Sequence, residues 1–286
     1  MKFSWKRRHV GEFIAKIFMY LSFALVAGSL VLILWTVIYK GLPALTWDMV
    51  SQTPKGGFYL GKEGGILNAI IGSLYMAGGG TLIALLFSLP LALYLETYLG
   101  ETLWGSWVRL SLDVLWGIPS IVYGAFGFTI MLALGMRASL IGGIIVLALL
   151  EFPIMTRAMD EVIRRMPREL EEAALALGST KLEVATQVVI RQMMPGIITA
   201  ILLAFGRGIG DAASVLFVAG YTDRIPTSLM SPAASLPLAV FFQLGTPFPE
   251  VQQRAYASAL ILTILVLVIS LGSRFLAARA GRYAVK

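Results

Sequence analysis

Long, predominantly apolar runs are the feature that most limits the fold of this chain. Six of them are each long enough to cross the roughly 30 Å apolar layer of a bilayer, and they occupy residues 13–39, 66–95, 109–134, 139–157, 196–220 and 255–275. Hydrophobic residues make up 58% of the chain and charged residues 14%, against about 45–50% and about 25% in soluble domains. We therefore predict an all-α polytopic membrane protein with six transmembrane helices.

Two apolar stretches need separate treatment because of their lengths. The first run follows a basic start at Lys2, Lys6, Arg7 and Arg8, but it is far longer than the roughly 7–15 apolar residues of a signal peptide. We predict an uncleaved first span. The stretch 236–244 is too short to cross the bilayer, which predicts an interfacial or re-entrant element.

Lysine and arginine are distributed unevenly between the two sides that these spans define. Sixteen of the 23 lie near the termini, in the connection between the second and third runs, and in and beside the long loop before the fifth run. Six lie on the opposite side, and Arg207 lies inside the fifth run. Because cytoplasmic loops carry an excess of Lys and Arg, both termini and the long loop are predicted to be cytoplasmic.

Composition also excludes several classes of function. The chain has no cysteine and one histidine, His9, so a metal site or thiol chemistry is not expected. The basic residues sit at span ends without interleaved aromatics, which argues against a nucleic-acid partner. No Gly-x4-Gly-Lys-Ser/Thr sequence is present, so any ATP chemistry must come from another protein. We predict no catalytic residue and no metal.

The longest polar interruption, residues 167–195, has the pattern of a discrete short helix. Pro167 suits a first helical turn, acidic residues follow it, and Gly178 can end the helix in a left-handed conformation. An apolar stripe repeats at helical spacing in Leu170, Ala174 and Leu177. So short a helix needs a packing partner, which is either its own membrane domain or another protein.

Polar residues inside the spans are candidates for a substrate pathway. Arg207 lies near the bilayer centre, where an arginine costs about 2.5–3.5 kcal/mol, and Asp211 follows one turn later. The two form either a structural ion pair or a cationic element of a conduit. Glu151 is either a functional group or a partly solvated helix end, and Pro119 with Ser120 interrupts the third span as pathway helices do.

Two further charged residues, Arg109 and Asp113, begin the third run. They are four residues apart, and we expect them to pair on one helix face.

The long loop resembles a known family. Glu172-Ala173-Ala174, three residues and Gly178 are similar to the EAA loop of ABC-importer permease subunits, with Arg191 standing where that pattern usually has a proline. Three further stretches resemble the phosphate-specific permeases, and they are residues 64–70, 117–122 and 207–213. Length and the loop before the second span look more like the PstA type than the PstC type.

The resemblance implies a type I ABC importer permease whose coupling helix seats in a groove of a cytoplasmic ATPase. It divides the chain into an N-terminal segment with the first span and first external loop (1–64), the permease domain (65–279) and a cytoplasmic tail (280–286). The residues implied in ATPase coupling are Glu172, Ala173, Ala174, Gly178, Leu170 and Leu177.

The implied partners are an ATP-binding subunit, a second permease subunit of the PstC type, an extracytoplasmic phosphate-binding protein, inorganic phosphate and membrane lipid. The chain itself is expected to hold no cofactor, since ATP and magnesium belong to the ATPase. The implied location is the prokaryotic inner or plasma membrane.

Other functions remain to be distinguished. The alternatives within transport are a permease for another oxyanion, such as molybdate or sulfate, and a PstC-type partner subunit. An ion-coupled secondary transporter would instead need several buried carboxylates and no coupling helix. A membrane enzyme would need a His, Cys or Ser constellation, which the sequence does not offer.

Overall fold

The structure, a computed structural model, describes residues 2–55 and 63–280, and it is almost entirely helical within them. The predicted tail at 280–286 therefore lies, apart from Ala280, outside the described residues. The helices are α1 (Lys2–Gly41), α2 (Trp47–Ser51), α3 (Leu67–Tyr94), α4 (Leu103–Gly117), α5 (Ser120–Ala133), α6 (Leu140–Ile163), α7 (Arg168–Ala176), α8 (Lys181–Glu183), α9 (Ile190–Ile209), α10 (Leu236–Leu244) and α11 (Pro249–Ala280).

Three kinds of shorter element complete the chain. A 3₁₀ turn follows α1 at Leu42–Ala44, and π-helical segments occupy Leu95–Leu99 and Val184–Val189. A two-residue antiparallel ladder pairs β1 (Pro54–Lys55) with β2 (Glu63–Gly64).

The described residues contain five helical segments that are long and apolar enough to cross a membrane, and a sixth candidate is a bent pair. The five are His9–Ala44, Leu67–Leu99, Leu140–Ile163, Lys181–Ile209 and Pro249–Gly272. The bent pair is α4 with α5, whose axes differ by 94°. Counting that pair as one span confirms the six predicted spans.

The third predicted span is broken because of a proline. Pro119 has no backbone N–H and disfavours helical geometry in the residue before it, and Ile118 is extended at φ −68° and ψ 131°. α4 ends at Gly117, and α5 starts at Ser120 with Pro119 as its N-cap residue.

Among the ends of the predicted spans, those of the fourth and fifth differ most from the structure. The fourth span continues to Ile163 rather than stopping at residue 157, because Arg157 and Asp160 are paired inside the protein and do not end the helix. The helix of the fifth span ends at Ile209 rather than at residue 220. The chain from 210 to 235 is then non-helical.

The core lies where α3, α6 and α9 meet. α3 packs most extensively on α6, and α6 packs next on α9. The approach of α3 to α6 is close because Gly80 lies against Leu147 and Gly143 lies against Met76, as small residues allow. α1 packs on α11 and on the 3₁₀ turn, and its long apolar stretch is not buried inside the chain.

The bundle has two ends. The α7 end carries the last residues of α3, the last residues of α6, α7 itself and the start of α9. The α10 end carries the start of α3, residues 210–235 and α10, and it is closed by hydrogen bonds such as Leu236 N to Ser73 Oγ at 2.8 Å. The predicted short element at 236–244 matches α10 residue for residue.

Candidate functional site

The last turn of α9 presents a charged pair. Arg207 remains 56% exposed at its side chain, whereas the side chain of Asp211 is 6% exposed, and Arg207 Nη2 lies 3.9 Å from Asp211 Oδ2. The backbone N–H of Ser214 donates to Asp211 Oδ1 at 2.8 Å. The carboxylate is therefore fixed by the chain that follows it, while the guanidinium points away from the interior of the subunit.

The end of α9 is a helix terminus within an apolar span. Its final turn leaves carbonyl groups without intrahelical partners, and the following non-helical backbone is tolerated at membrane depth only when buried in protein or lining a cavity. Much of that backbone is held by neighbours, for example through Ser139 N to Val218 O at 2.8 Å and Ala233 N to Ala219 O at 2.9 Å. A broken helix with a charged last turn is typical of a transport site.

Glu151 lies beside this turn on α6. It is fully buried, and Thr81 Oγ1 of α3 donates to its Oε2 at 2.7 Å. Its Oε1 has no hydrogen-bond partner among the residues that the structure describes, and it faces Gly208, where a Cβ would overlap it. Glu151 on α6 thus contacts both α3 and α9, and the α9 residue that it contacts, Gly208, directly follows Arg207. Glu151 lies at the middle of α6 rather than near its end.

Pro119 and Ser120 lie at the α4–α5 break. α5 then runs past the segment that follows Asp211, since Gly124 lies against the backbone carbonyl of Ser214. The structure therefore connects the break to the Arg207 region through α5.

The small cavity lined by Asp211, Gly208 and their neighbours has a volume of about 10 Å³, which is too little for an oxyanion.

α7 forms at the predicted place in the long loop. It spans Arg168–Ala176 with Pro167 as its N-cap residue, one position earlier than the predicted first-turn position. Gly178 adopts φ +90°, and nothing lies within 4 Å of where its side chain would be. The predicted left-handed glycine at the end of this helix is confirmed.

The predicted apolar stripe of α7 divides between two environments. Leu170 is half-buried, and Ala174 packs on the core cluster of α3, α6, α9 and the π-helical segment 184–189. Leu177 is 88% exposed, and Glu172 and Ala173 are exposed as well. One face of the helix therefore packs on its own domain, and the other is open to a partner.

The connection from α7 to Arg207 is helical over most of its length. Thr180 and Glu183 form a capping box that starts α8, and the π-helical segment 184–189 leads directly into α9. Arg191 and Pro195 lie within α9. The chain between Lys181 and Ile209 is one helical rod with a π-helical section.

A charged cluster at the α7 end is the feature that sequence reasoning missed. The predicted Arg109–Asp113 pair is wrong, because Arg109 points inward and binds Asp160 and Glu96, whereas Asp113 binds Arg157. The buried guanidinium of Arg109 pairs with the buried carboxylate of Asp160 rather than with the exposed carboxylate of Asp113 on its own helix. Arg157 and Asp160, three residues apart in an apolar span, were the available signal.

The chain matches a family model. Residues 88–282 match the model described as binding-protein-dependent transport system inner membrane component. Among solved structures it is similar to the MetNI methionine ABC transporter in inward-facing conformations, with a TM-score of 0.62 and 18% identity, covering 75% of this chain and 95% of that one. It is also similar to a bacterial ABC transporter that imports alginate, with a TM-score of 0.52 and 15% identity, covering 91% and 97%.

Curated relatives are closer in sequence. The phosphate transport system permease protein PstA of Haemophilus influenzae is 32% identical and covers 96% of this chain and 95% of its own length. PstA 1 of Mycobacterium tuberculosis is 34% identical over 96% and 91%, and PstA of Xylella fastidiosa is 35% identical over 85% and 84%. The chain has the type I permease fold, it is a multi-pass membrane protein, and it belongs to the PstA family of binding-protein-dependent transport system inner membrane components.

Proposed function

We propose that this chain is the PstA-type permease subunit of an ATP-driven importer of inorganic phosphate. The observation that carries the proposal is Arg207, a guanidinium 56% exposed in the last turn of an apolar span. An arginine at that depth faces protein or water rather than lipid. Arg207 points out of its own subunit. In the proposal, a second permease of the PstC type therefore completes the substrate pathway.

The chemistry of Arg207 suits phosphate. A guanidinium presents paired N–H donors that match two oxygens of a tetrahedral oxyanion. Gly206 leaves open space on the helix beside it, because nothing lies within 4 Å of where its side chain would be. The named relatives are phosphate permeases, which supports phosphate over molybdate or sulfate.

Asp211 has a role that fits its position. Its carboxylate would repel phosphate, yet it is fixed by Ser214 N and lies 3.9 Å from the guanidinium of Arg207. In the proposal, Asp211 holds Arg207 while the pathway is empty and releases it when phosphate arrives. Glu151 contacts this turn from α6 at Gly208, and α5, which begins after the break at Pro119, contacts the segment that follows the turn.

In the proposal, the energy for transport comes from ATP hydrolysis by another subunit. The chain performs no catalysis and holds no cofactor, and an ATP-binding subunit with its magnesium docks on the exposed face of α7, at Glu172, Ala173 and Leu177. The bias of Lys and Arg toward the α7 end supports a cytoplasmic location for α7 and both termini. An extracytoplasmic phosphate-binding protein then delivers substrate at the α10 end.

The experiment is reconstitution of the chain with its ATPase, second permease and binding protein in liposomes. ATPase activity is measured with phosphate, sulfate or molybdate on the side of the binding protein. Phosphate alone is expected to stimulate hydrolysis. Stimulation by sulfate or molybdate but not by phosphate would contradict the proposed substrate, and hydrolysis unaffected by any solute would contradict an importer role.

A further inference from the structure

A charge-balanced ionic network lies at the α7 end of the bundle, away from Arg207. It contains three arginines and three acidic residues, which are Glu96 after α3, Arg109 and Asp113 on α4, and Arg157, Asp160 and Arg164 at the end of α6. Three elements that are separate in the sequence are therefore joined by charged side chains.

Asp160 is the centre of this network. Its side chain is fully buried, and it receives Arg109 in the two-pronged geometry that makes arginine–carboxylate pairs strong. Arg109 Nε donates to Asp160 Oδ2 at 2.9 Å and Nη2 donates to Oδ1 at 3.1 Å. Arg157 Nη1 donates to the same Oδ2 at 2.7 Å.

Arg109 extends the connection to the end of α3. Its Nη1 donates to the carbonyl of Gly100 at 2.6 Å, and its Nη2 donates to Glu96 Oε2 at 3.0 Å. On the other side of Asp160, Arg157 Nε donates to Asp113 Oδ1 on α4 at 2.6 Å. Asp160 is thus linked to α4 in two ways, directly through Arg109 and indirectly through Arg157. Arg109 also links it to the end of α3.

The attachment of α4 depends on this network. Only Gly105, Arg109 and Leu112 are buried on α4, so little apolar packing holds the helix. Apolar side chains of similar volume would bind it without the desolvation cost of buried charges. What an ionic network provides in exchange is one defined geometry.

The network faces α7 across a cavity and is joined to it by the short connection after α6. Arg164, whose Nε is 3.7 Å from Glu96 Oε1, lines a cavity of about 450 Å³ together with Glu171 and Glu172 of α7. α6 reaches α7 within eight residues of Asp160. α4 in turn continues into α5, which contacts the carbonyl of Ser214 beside Asp211.

We propose that Asp160 is a positioning residue for coupling, which holds the α7 ends of α3, α4 and α6 as one rigid unit. A displacement of α7 by the ATPase then moves α4 and α5 together with α6, and reaches the Arg207 turn from α5 as well as through α9. This proposal rests on the proposed function in taking α7 as the ATPase contact.

The first test is Asp160→Asn in the reconstituted complex. Phosphate moved per ATP hydrolysed is expected to fall about tenfold or more, since misplacement of a coupled group by about 1 Å has effects of that order or larger, and Asp160→Glu is expected to recover most of it. Glu161→Gln is the matched control, because Glu161 is exposed on the next position of α6 and pairs only at the surface with Arg165 at 3.3 Å. Transport by assembled Asp160→Asn at the wild-type ratio would overturn the proposal.

If the Asp160→Asn complex does not assemble, a second variant tests the proposal. The double change Arg109→Gln with Asp160→Asn replaces the ion pair by two amides that can bond each other. An assembled double variant that hydrolyses ATP without transport supports the proposal, and one that couples normally shows that the network only stabilises the fold.

A distance measurement tests rigidity without any substrate. Because the chain has no cysteine, spin labels can be placed at Ser111→Cys on α4 and Glu161→Cys on α6, both exposed positions. We expect the same distance in the nucleotide-free and ATP-trapped complexes. A distance that changes between these states overturns the rigid unit, whether or not phosphate proves to be the substrate.

Discussion

At the residue scale, the two carboxylates nearest Arg207 have different surroundings. Asp211 is held by the backbone N–H of Ser214, so its position is set by the non-helical chain after α9. Glu151 is held by the hydroxyl of Thr81 and lies against Gly208, so its position depends on how closely α6 approaches α9. Glycine at 208 is what allows that approach.

Gly208→Ala is expected to destabilise the subunit. The new methyl would overlap Glu151 Oε1, and overpacking of this kind costs about 1–3 kcal/mol. Thermal unfolding of the purified complex measures the effect. Gly206→Ala is the control on the same helix, because nothing lies within 4 Å of that position, and the alanine favours helix by about 1 kcal/mol.

A double variant identifies the contact responsible. Adding Glu151→Ala to Gly208→Ala removes the overlap, so the two changes together should cost less than their sum. Equal unfolding temperatures for Gly206→Ala and Gly208→Ala would show that Glu151 does not constrain α9.

At the element scale, α7 ends abruptly because of the conformation of Gly178. Gly178 has φ +90°, a conformation that costs an L-residue about 1–2 kcal/mol. The capping box at Thr180 starts the next helix two residues later. The direction of α7 relative to α9 is therefore set at Gly178.

Gly178→Ala is expected to weaken ATPase docking about tenfold, the equivalent of about 1.4 kcal/mol. The added methyl meets no neighbour, so the effect arises from backbone strain alone. Binding of the ATPase to the purified permease pair measures it. Gly28→Ala, at an open position of α1 without positive φ, should bind as the wild type does, and equal binding by both variants would contradict the role given to Gly178.

Elements defined by local signals were predictable from the sequence. The bounds of α10 match the short apolar stretch predicted at 236–244, and α7 was expected from its acidic start and its glycine end. The ends of α6 and α9 were not, because they depend on tertiary contacts. α6 continues because Asp160 is paired with Arg109, fifty-one positions earlier in the chain. α9 stops at Ile209, and the non-helical chain after it is held by distant residues, for example by the bond from Ser139 N to Val218 O.

The candidate site was predictable only in part. Arg207 and Asp211 were proposed as site residues because charge inside an apolar span is unusual, and the structure places their side chains 3.9 Å apart. Thr81 and Gly208 were not recognised as the neighbours of Glu151, because nothing in the spacing brings α3, α6 and α9 together. The pairing of Arg109 was wrong for the same reason.

At the scale of the whole molecule, we propose that one subunit supplies only part of a pathway. The core of α3, α6 and α9 is packed closely, and the cavity beside Asp211 is too small for phosphate. Arg207 points outward from this core. The pathway of the proposed importer therefore lies between this subunit and its partner permease, with Arg207 contributed from this side.

The most direct test of this account is phosphate uptake by the Arg207→Gln complex. Removing the guanidinium should reduce uptake at least about tenfold, because a charged hydrogen bond to an anion contributes about 1.5–3 kcal/mol. Arg191→Gln, an exposed arginine earlier on the same helix, is the matched control and should transport normally. Uptake by a fully assembled Arg207→Gln complex that equals the control would contradict the central role given to Arg207.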